Sequence, residues 1–459
     1  MHAAQNDLFT RIGPGTACGE LLRRYWQPAA LLDEFDPQFD PRMAQRPIKA
    51  VRLLGQDLVL FRDAAGRFGL LDRDCPHRGA DLAFARHEPE GIRCPFHGWK
   101  FAVDGRCLDT PAEPLGSTLC QRVRQRSYPT QVAAGVVFAY LGPESGPGST
   151  PPALPAFDCF TAPATHRFAF KGLWRCNWLQ AVEVGIDPAH PSFLHRYLQD
   201  ESLEGAYGRQ FRAASVGSVD GQRWPMTRVM REFCSPEIRH EDVAPGLTRL
   251  TTLRLISEQL THVRVTHAVF PQTFVIPLSE TVTITQMHLP VDDTHTYWYS
   301  FFTSFAGALD KVTMRQQRLA GMTLPDHLPI HGRHDDWNFN PEEQRTRTFL
   351  GMGEEDINLH DQWAVESMGA IQDRTREHLG TSDRVIMANR RALAKAIDTV
   401  QAGGTPPMVL TAEEASALRG PDTMDCIAPA AGWQAFWQDA AAAKRAGATW
   451  LQTSVTAGP

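Results

Sequence analysis

Apolar and polar residues change their spacing near residue 46, and this change separates two kinds of predicted element. Upstream, residues 18–26 carry apolar side chains at helical spacing after Pro14-Gly15, so residues 1–45 are predicted to be a helical lead-in. Downstream, short runs at 51–54, 57–62 and 68–71 are separated by turn residues. Asp104-Gly105 adds a hairpin signal, and residues 136–141 give the last strand of this region. A small antiparallel β domain is therefore predicted over residues 46–150.

A Gly- and Pro-rich linker around residues 142–155 precedes a second domain, predicted over residues 151–459. Its strands are predicted at 248–257, 260–274, 280–288 and 297–305, where Thr or Arg alternates with apolar residues. Helices are predicted at 174–197, 358–397 and 433–444, and a loop-rich segment at 331–352. A large antiparallel sheet covered by helices on one face gives an α+β fold class.

Composition and charge exclude several classes of protein. The 459 residues are 42% hydrophobic and 21% charged, which is typical of a globular chain of two or three domains. A net charge of −6 without a basic tract argues against a nucleic-acid partner. Nine cysteines, an odd number and scattered, are typical of a reducing compartment. The N-terminus lacks a signal-peptide pattern and no apolar run reaches about 18 residues, so we expect a soluble cytoplasmic protein without a membrane partner.

Two metal-binding hooks lie in loops of the predicted β domain. The first contains Cys75 and His77, and the second contains Cys94 and His97. One Cys and one His in each hook allow two thiolates to bind one iron and two imidazoles the other, as a Rieske-type 2Fe–2S cluster requires. A zinc site is the alternative, but zinc spacings usually pair Cys with Cys and His with His. The pattern therefore favours the Rieske cluster.

The residues beside the hooks distinguish between kinds of Rieske protein. Respiratory Rieske proteins carry an additional cysteine beside each hook, and the two form a disulfide. Here Gly79-Ala80 and Phe96 occupy the equivalent places, so that disulfide cannot form. The run from Phe96 to Trp99 resembles Rieske oxygenases and their ferredoxins, which implies electron delivery to a catalytic iron.

A second candidate metal site lies at residues 187–195, which contain Asp187, His190 and His195. The two histidines are five positions apart, so they do not share a face of a regular helix. Both can reach one metal only if the helix is interrupted, for which Pro191 gives a reason. Core or surface histidines are the alternative. A two-His, one-carboxylate iron site would also need an acid from elsewhere, and from the residues alone Asp356, Asp361 and Glu366 remain open.

The chain resembles a known family over residues 1–400: the catalytic α subunit of Rieske non-haem iron oxygenases of the phthalate 4,5-dioxygenase type, which lack a β subunit. It is also similar to aromatic O-demethylases. The matching motifs are Cys75-x-His77, Cys94-x2-His97, Asn177-Trp178, Asp187-x2-His190-x4-His195 and Asp361-x4-Glu366-Ser367.

This resemblance implies a Rieske domain followed by a helix-grip catalytic domain. It implies that His190, His195 and Asp361 bind a mononuclear Fe(II). It also implies that Asp187 bridges an iron-binding histidine to a cluster histidine of a neighbouring subunit, within a homotrimer or stacked hexamer. A helix N-cap before Pro188 is a second, compatible role for Asp187.

The resemblance further implies O2 and an aromatic substrate, often with a carboxylate or methoxy group. No dinucleotide motif is present, so NADH would act only through a separate reductase carrying flavin and an iron–sulfur centre. Dihydroxylation and O-demethylation both remain open, and residues 331–349 are expected to reshape the pocket. A Rieske electron-transfer protein without oxygenase activity and a zinc-stabilised binding module are the alternatives. Candidate contacts to a substrate carboxylate are Arg196, Arg209, Arg212, Arg249, Arg254 and Arg264.

Overall fold

The computed structural model describes residues 1–200, 216–219, 221–353 and 357–453. Short strands build the N-terminal part, as predicted, and they form two four-stranded sheets, β2-β3-β4-β9 and β5-β6-β7-β8, and a three-stranded sheet, β1-β11-β10. Their bounds are β1 Trp26–Leu31, β2 Ile48–Leu53, β3 Gln56–Arg62, β4 Phe68–Asp72, β5 Arg86–Glu88, β6 Gly91–Arg93, β7 Lys100–Phe101, β8 Cys107–Asp109, β9 Ser127–Tyr128, β10 Thr130–Ala133 and β11 Val136–Tyr140.

The predicted helical lead-in is wrong in its second half. Helices α1 (Ala3–Thr10) and α2 (Ala17–Leu22) form, but residues 26–31 are the strand β1. All six residues of β1 are buried, and the strand pairs antiparallel with β11. Local spacing could not reveal this, because the pairing partner lies more than 100 residues away in sequence.

A large antiparallel sheet forms the centre of the second part of the chain. Its order is β13-β21-β20-β19-β18-β17-β16, and β25 also pairs with β18. The strand bounds are β12 Ala156–Phe157, β13 Arg167–Trp174, β14 Val216–Val219, β15 Gln222–Pro225, β16 Glu237–Ala244, β17 Leu247–Leu255, β18 Leu260–Val269, β19 Thr273–Pro277, β20 Val282–Asp292, β21 His295–Ser304, β22 Met322–Thr323, β23 Leu328–Pro329, β24 Arg419–Gly420 and β25 Met424–Pro429.

Helices pack against this sheet, which confirms the α+β fold class. The remaining helices are α3 Leu119–Arg122, α4 Asp158–Thr161, α5 Trp178–Ile186, α6 Met226–Glu232, α7 Lys311–Leu319, α8 Pro341–Thr346, α9 Ile357–Ser367, α10 Arg384–Gln401, α11 Ala412–Ala417, α12 Trp433–Gly447 and α13 Thr449–Thr453. No helix among the described residues has the length and apolar character needed to cross a bilayer.

The helix predicted over residues 174–197 is much shorter in the structure. Residue 174 ends β13, and α5 ends at Ile186. A 3-10 turn follows at His190–Ser192, with Pro191 inside it. The predicted interruption between His190 and His195 is therefore confirmed, but Asp187 lies just after a helix instead of capping the start of one.

Helix α5 is held in place at its N-terminus by two buried side chains. Asn177 accepts the N–H of Leu179 at 3.2 Å and donates to the carbonyl oxygens of Thr10 at 2.9 Å and Asp293 at 2.7 Å. Trp178 donates from Nε1 to the carbonyl of Phe9 at 2.9 Å. The N-terminal helix thus fixes the helix that leads into the second candidate metal site.

Candidate metal centres

The two hooks have the same backbone geometry. The N–H of Cys75 donates to the carbonyl of Ala80 at 2.9 Å, and the N–H of Cys94 donates to the carbonyl of Trp99 at 2.8 Å. In each hook a glycine donates back to the cysteine carbonyl, Gly79 at 2.8 Å and Gly98 at 3.0 Å. Both glycines have φ near +75°, at 73° and 76°, a region that a glycine adopts without strain. The hooks lie between β4 and β5 and between β6 and β7.

The side chains of the hooks fit a cluster with Cys2His2 ligation. Cys75 and Cys94 are each 2% exposed, and burial, together with the nearby Cys94, raises the pKa of the Cys75 thiol to about 11. The His77 and His97 rings lie 4.5 Å apart between centroids, and His77 stacks on Trp99. His97 Nδ1 is buried without a hydrogen-bond partner. A buried ring nitrogen that has no hydrogen-bond partner is available to bind a metal.

The second candidate site brings together His190, His195 and Asp361. One ligand atom from each lies within 4.8 Å of the others. Asp361 Oδ1 is 3.3 Å from His195 Nε2 and 3.9 Å from His190 Nε2. Asp361 Oδ1 is also buried without a hydrogen-bond partner. Two imidazoles and one carboxylate oxygen converging on one point suit a divalent iron with open positions.

The charge states of these side chains also suit a metal. Burial raises the pKa of Asp361 to about 6, although His190 and His360 act against that rise. Burial lowers the pKa of His190 from its ordinary value. Both effects come from desolvation of the charged form. At neutral pH the site therefore offers a carboxylate and a neutral imidazole, which are the forms that bind metal.

Asp187 contacts His190 through its main chain. The carbonyl oxygen of Asp187 accepts a hydrogen bond from His190 Nδ1 at 2.8 Å, whereas its carboxylate Oδ2 is 4.0 Å from the same nitrogen. The other carboxylate oxygen accepts the N–H of Ala189 at 2.7 Å. The carbonyl thus fixes His190 with Nε2 directed at Asp361, and the carboxylate forms a turn with its own backbone.

Among the open carboxylate candidates, the structure distinguishes Asp361 from Glu366. Glu366 is engaged elsewhere: its Oε1 accepts the N–H of Arg175 at 2.8 Å, and its Oε2 accepts Nε1–H of Trp337 at 2.9 Å. Asp356 lies outside the described residues. Helix α9 directs Asp361 at the two histidines, and Gln180 connects this helix to α5 by donating to the carbonyl of Val365 at 2.8 Å.

A cavity of about 190 Å³ opens beside the second site. Its apolar wall includes Trp174, Phe274, Ile276 and Ile284. Of the arginines proposed to bind a carboxylate, Arg196 and Arg264 line this cavity. Arg249 pairs instead with Glu241 at 2.6 Å on the sheet surface, and Arg209 and Arg212 lie outside the described residues.

A connected group of polar side chains lines part of the cavity and continues behind it. Arg264 and His262 both bond to Asp425 of β25, the His262 Nε2–Asp425 Oδ1 distance being 2.6 Å. Buried Arg254 lies behind them, 3.2 Å from Ser192 Oγ in the loop between the two histidines. Sequence reasoning missed β25 and Asp425, because residues 424–429 are short and carry no distinctive alternation.

A second, larger depression shares Asp187 and His190 with the cavity. Asp187, His190 and the exposed Phe193 and Phe349 line it. Residues from 331–349 contribute to this groove and, among the described lining residues, not to the cavity. Whether this segment reshapes the substrate pocket therefore stays a prediction: its described residues line the groove that shares Asp187 and His190 with the cavity.

Sequence reasoning also missed His360, which contacts His195. Its position next to Asp361 in the same predicted helix was the only available signal, because nothing in the spacing places it against residue 195.

Two family descriptions match the chain. The Rieske [2Fe-2S] domain matches residues 38–128, and the family described as LigXa C-terminal domain like matches residues 139–429. The second match covers more than half of the chain.

Curated relatives agree with these matches. The chain is 32% identical over 412 residues to the phthalate 4,5-dioxygenase oxygenase subunit of Pseudomonas putida, covering 87% of each chain. It is 40% identical over 198 residues to the 5,5'-dehydrodivanillate O-demethylase oxygenase subunit of a Sphingobium species, covering 42% of this chain and 44% of the relative. Among solved structures, dicamba monooxygenase bound to dicamba superimposes with a TM-score of 0.54 at 16% identity, covering 83% of this chain and 98% of that one. This last likeness shows the shared fold.

Proposed function

The chain belongs to the Rieske non-haem iron oxygenases, as a catalytic α subunit of the phthalate 4,5-dioxygenase type, and from this premise we propose which residues perform its reaction. It carries a Rieske 2Fe–2S cluster and a mononuclear non-haem iron, and it is the oxygenase component of a system with a separate electron donor. Family membership over the second domain gives no support to the alternative of an electron shuttle without oxygenase activity.

His190, His195 and Asp361 are proposed to hold the catalytic iron. The observation that carries this proposal is the convergence of their three ligand atoms within 4.8 Å beside a cavity. Iron in this site would supply O2 activation. The protein contributes two imidazoles, of which burial keeps that of His190 neutral, a carboxylate and an apolar wall that limits the access of water.

Cys75, His77, Cys94 and His97 are proposed to hold the 2Fe–2S cluster. The matched backbone bonds of the two hooks and the buried, unpartnered His97 Nδ1 support this assignment. The predicted boundaries, a lead-in to residue 45, a Rieske domain over 46–150 and a catalytic domain over 151–459, remain part of this proposal, with strand β1 inside the lead-in.

The groove beside Asp187 is proposed to receive the cluster loops of a second copy of the chain. Phe96 at the tip of the second hook is 55% exposed, and Arg78 lies over its ring. The groove offers exposed aromatic rings at Phe193 and Phe349 together with the acidic Asp187. An aromatic and basic tip complements an aromatic and acidic groove. This arrangement supports a homotrimer in which Asp187 lies between a cluster and a neighbour's iron.

The substrate is proposed to be a single aromatic ring that carries a carboxylate. A cavity of about 190 Å³ compares with the roughly 150 Å³ of an apolar cavity that binds benzene. The described lining residues include four arginines (Arg196, Arg231, Arg264, Arg318) and three aspartates (Asp187, Asp361, Asp425). Bound Fe(II) would add two positive charges, so the filled site attracts an anion. Ring hydroxylation and O-demethylation of a methoxy group both suit this cavity.

The electron donor is proposed to be a reductase that carries flavin and an iron–sulfur centre and oxidises NADH. The location is proposed to be the cytoplasm, as the scattered free cysteines suggest.

Metal analysis of the purified protein tests the proposed sites. Wild type should contain about three irons per chain, two in the cluster and one mononuclear. His190→Ala should lower this to about two, abolish product formation and leave the cluster's visible spectrum unchanged. If His190→Ala instead bleached the cluster, the two sites would be misassigned. Zinc in place of iron would contradict the function itself.

An oxygen-uptake screen with a supplied reductase tests the substrate class. Benzoates, phthalates and methoxybenzoates are expected to stimulate uptake, whereas the corresponding neutral amides should not. Equal stimulation by acid and amide would contradict the proposed carboxylate.

A further inference from the structure

His360 lies directly against one of the proposed iron-binding histidines. It is fully buried on α9, one residue before Asp361. Its Nδ1 is 3.2 Å from His195 Nδ1, and the two rings are nearly parallel, with 22° between their planes and 5.4 Å between their centroids. This nitrogen–nitrogen contact is a hydrogen bond only if one ring carries the hydrogen and the other offers a lone pair.

The second nitrogen of His360 determines the direction of this bond. His360 Nε2 is 3.2 Å from the carbonyl oxygen of Gly353. A carbonyl oxygen only accepts, so Nε2 carries the hydrogen. A neutral imidazole has one ring hydrogen, and His360 Nδ1 is then the acceptor. His195 Nδ1–H is therefore the donor, and the lone pair of His195 lies on Nε2, the atom 3.3 Å from Asp361 Oδ1.

His190 is oriented in the same way, through a hydrogen bond from its Nδ1, but its partner is different. Its Nδ1 donates to the carbonyl of Asp187 at 2.8 Å, which leaves Nε2 for the metal. That partner belongs to the histidine's own loop. His360 belongs instead to the helix that carries Asp361, so it sets the position of His195 relative to the third proposed ligand.

We propose that His360 is a positioning residue for the iron site: it accepts a hydrogen bond from His195 and so fixes the tautomer and orientation in which His195 binds iron. The inference rests on the proposed iron triad. This role does not require that His360 contact the metal. Substitution of His360 should therefore change the affinity of the site for Fe(II) first.

The test compares three substitutions by titrating Fe(II) into protein freed of its mononuclear iron, with the cluster intact. His360→Phe removes the acceptor and should weaken Fe(II) binding roughly 10- to 100-fold. His360→Asn can place its side-chain oxygen near the original Nδ1, so its affinity should stay within about threefold of wild type. His360→Gln is polar but places its amide farther out, near Nε2, and should lose affinity as Phe does.

Control variants separate this inference from the function on which it rests. His378→Phe, at an exposed histidine, should bind Fe(II) like wild type. If His190→Ala bound Fe(II) as tightly as wild type, the iron triad itself would be wrong. If His190→Ala lost iron but His360→Phe and His360→Gln did not, only the role of His360 would be overturned.

Equal losses in all three His360 variants would also overturn the inference, since they would show a packing role. If His360→Phe fails to fold, as judged by its cluster spectrum, the difference in Fe(II) affinity between His360→Asn and His360→Gln tests the inference by itself. In the folded variants, KM for the substrate of iron-loaded enzyme should stay within about twofold of wild type, because His360 does not line the cavity.

Discussion

At the scale of single residues, Asp361 and Glu366 of α9 differ in which side chains they contact. From the residues alone, Asp356, Asp361 and Glu366 remained open as the third ligand, and only the family resemblance pointed to Asp361. Asp361 and Glu366 lie on different faces of α9, because two residues five positions apart in a helix point in different directions. Asp361 faces the histidines, and Glu366 faces Trp337 and the main chain of Arg175. The choice required the tertiary packing of α9.

Substituting these two acids should therefore have opposite consequences. Asp361→Asn removes a charged ligand and should lower the mononuclear iron content to about a tenth or less, with little change in thermal stability. Glu366→Gln should keep the iron. Its amide N–H would face the Nε1–H of Trp337 in one orientation and the main-chain N–H of Arg175 in the other. We therefore expect a loss of roughly 1–3 kcal/mol of stability.

Iron content and thermal unfolding measured on both variants check this prediction. Iron loss in Glu366→Gln with retention in Asp361→Asn would reverse the assignment.

At the scale of elements, the packing of α5 determines the position of the loop that follows it and carries His190 and His195. Glu183 on α5 is ion-paired with buried Arg374 at 3.1 Å and with Arg390 of α10. The helix also lies close to the sheet, and Gly185 allows this approach. The Asp104-Gly105 hairpin and most of the predicted strands were found from sequence because their signals are local. The single strand predicted over 260–274 is wrong, because β18 ends at Val269 and β19 begins at Thr273. The helix predicted over 358–397 is likewise two helices, α9 and α10. The length of α5, strand β1 and strand β25 were missed because each depends on a distant partner.

Gly185 gives a prediction about this close approach. A Cβ at Gly185 would lie 1.9 Å from Cε1 of Phe274, a residue of the cavity wall. Gly185→Ala should therefore displace Phe274, lower stability by roughly 1–3 kcal/mol and raise KM for the aromatic substrate.

The measurement is thermal unfolding together with steady-state kinetics. Gly307→Ala is the matched control, because a Cβ there meets nothing within 4 Å. Unchanged stability and KM in Gly185→Ala would show that α5 and the sheet can separate freely.

At the scale of the whole molecule, several buried histidines couple folding to pH. Burial lowers the pKa of His267 to about 3, with Arg249 adding to the shift, and burial lowers that of His288 to about 3. Because the folded-state pKa lies below the ordinary 6.5, the unfolded chain binds more protons between these values. The stability from each neutral histidine is complete above pH 6.5 and is lost as the pH falls.

Each such histidine should reduce the free energy of unfolding by about 2 kcal/mol between pH 7 and pH 5. His267→Gln should therefore show a smaller loss over this range than wild type, by about that amount. Urea unfolding at both pH values measures the difference. Equal pH dependence in the two proteins would mean that His267 takes up its proton without unfolding.

The proposed path of electrons between subunits can be tested with two inactive variants. His97→Ala should lack the cluster but keep the iron site, and His190→Ala should lack the iron but keep the cluster. If electrons cross between copies, a co-expressed mixture should recover about a quarter of wild-type activity, since half of the chains hold iron and half of their neighbours hold a cluster. If electrons stay within one chain, the mixture should be inactive.

Asp187 makes this experiment directional, because the proposal places it in the subunit that holds the receiving iron. Asp187→Asn combined with His97→Ala should reduce the recovered activity, whereas Asp187→Asn combined with His190→Ala should not. Sedimentation of each mixture checks that the assembly is the same size as the wild type. Equal loss in both combinations would indicate that Asp187 supports the assembly and not the transfer.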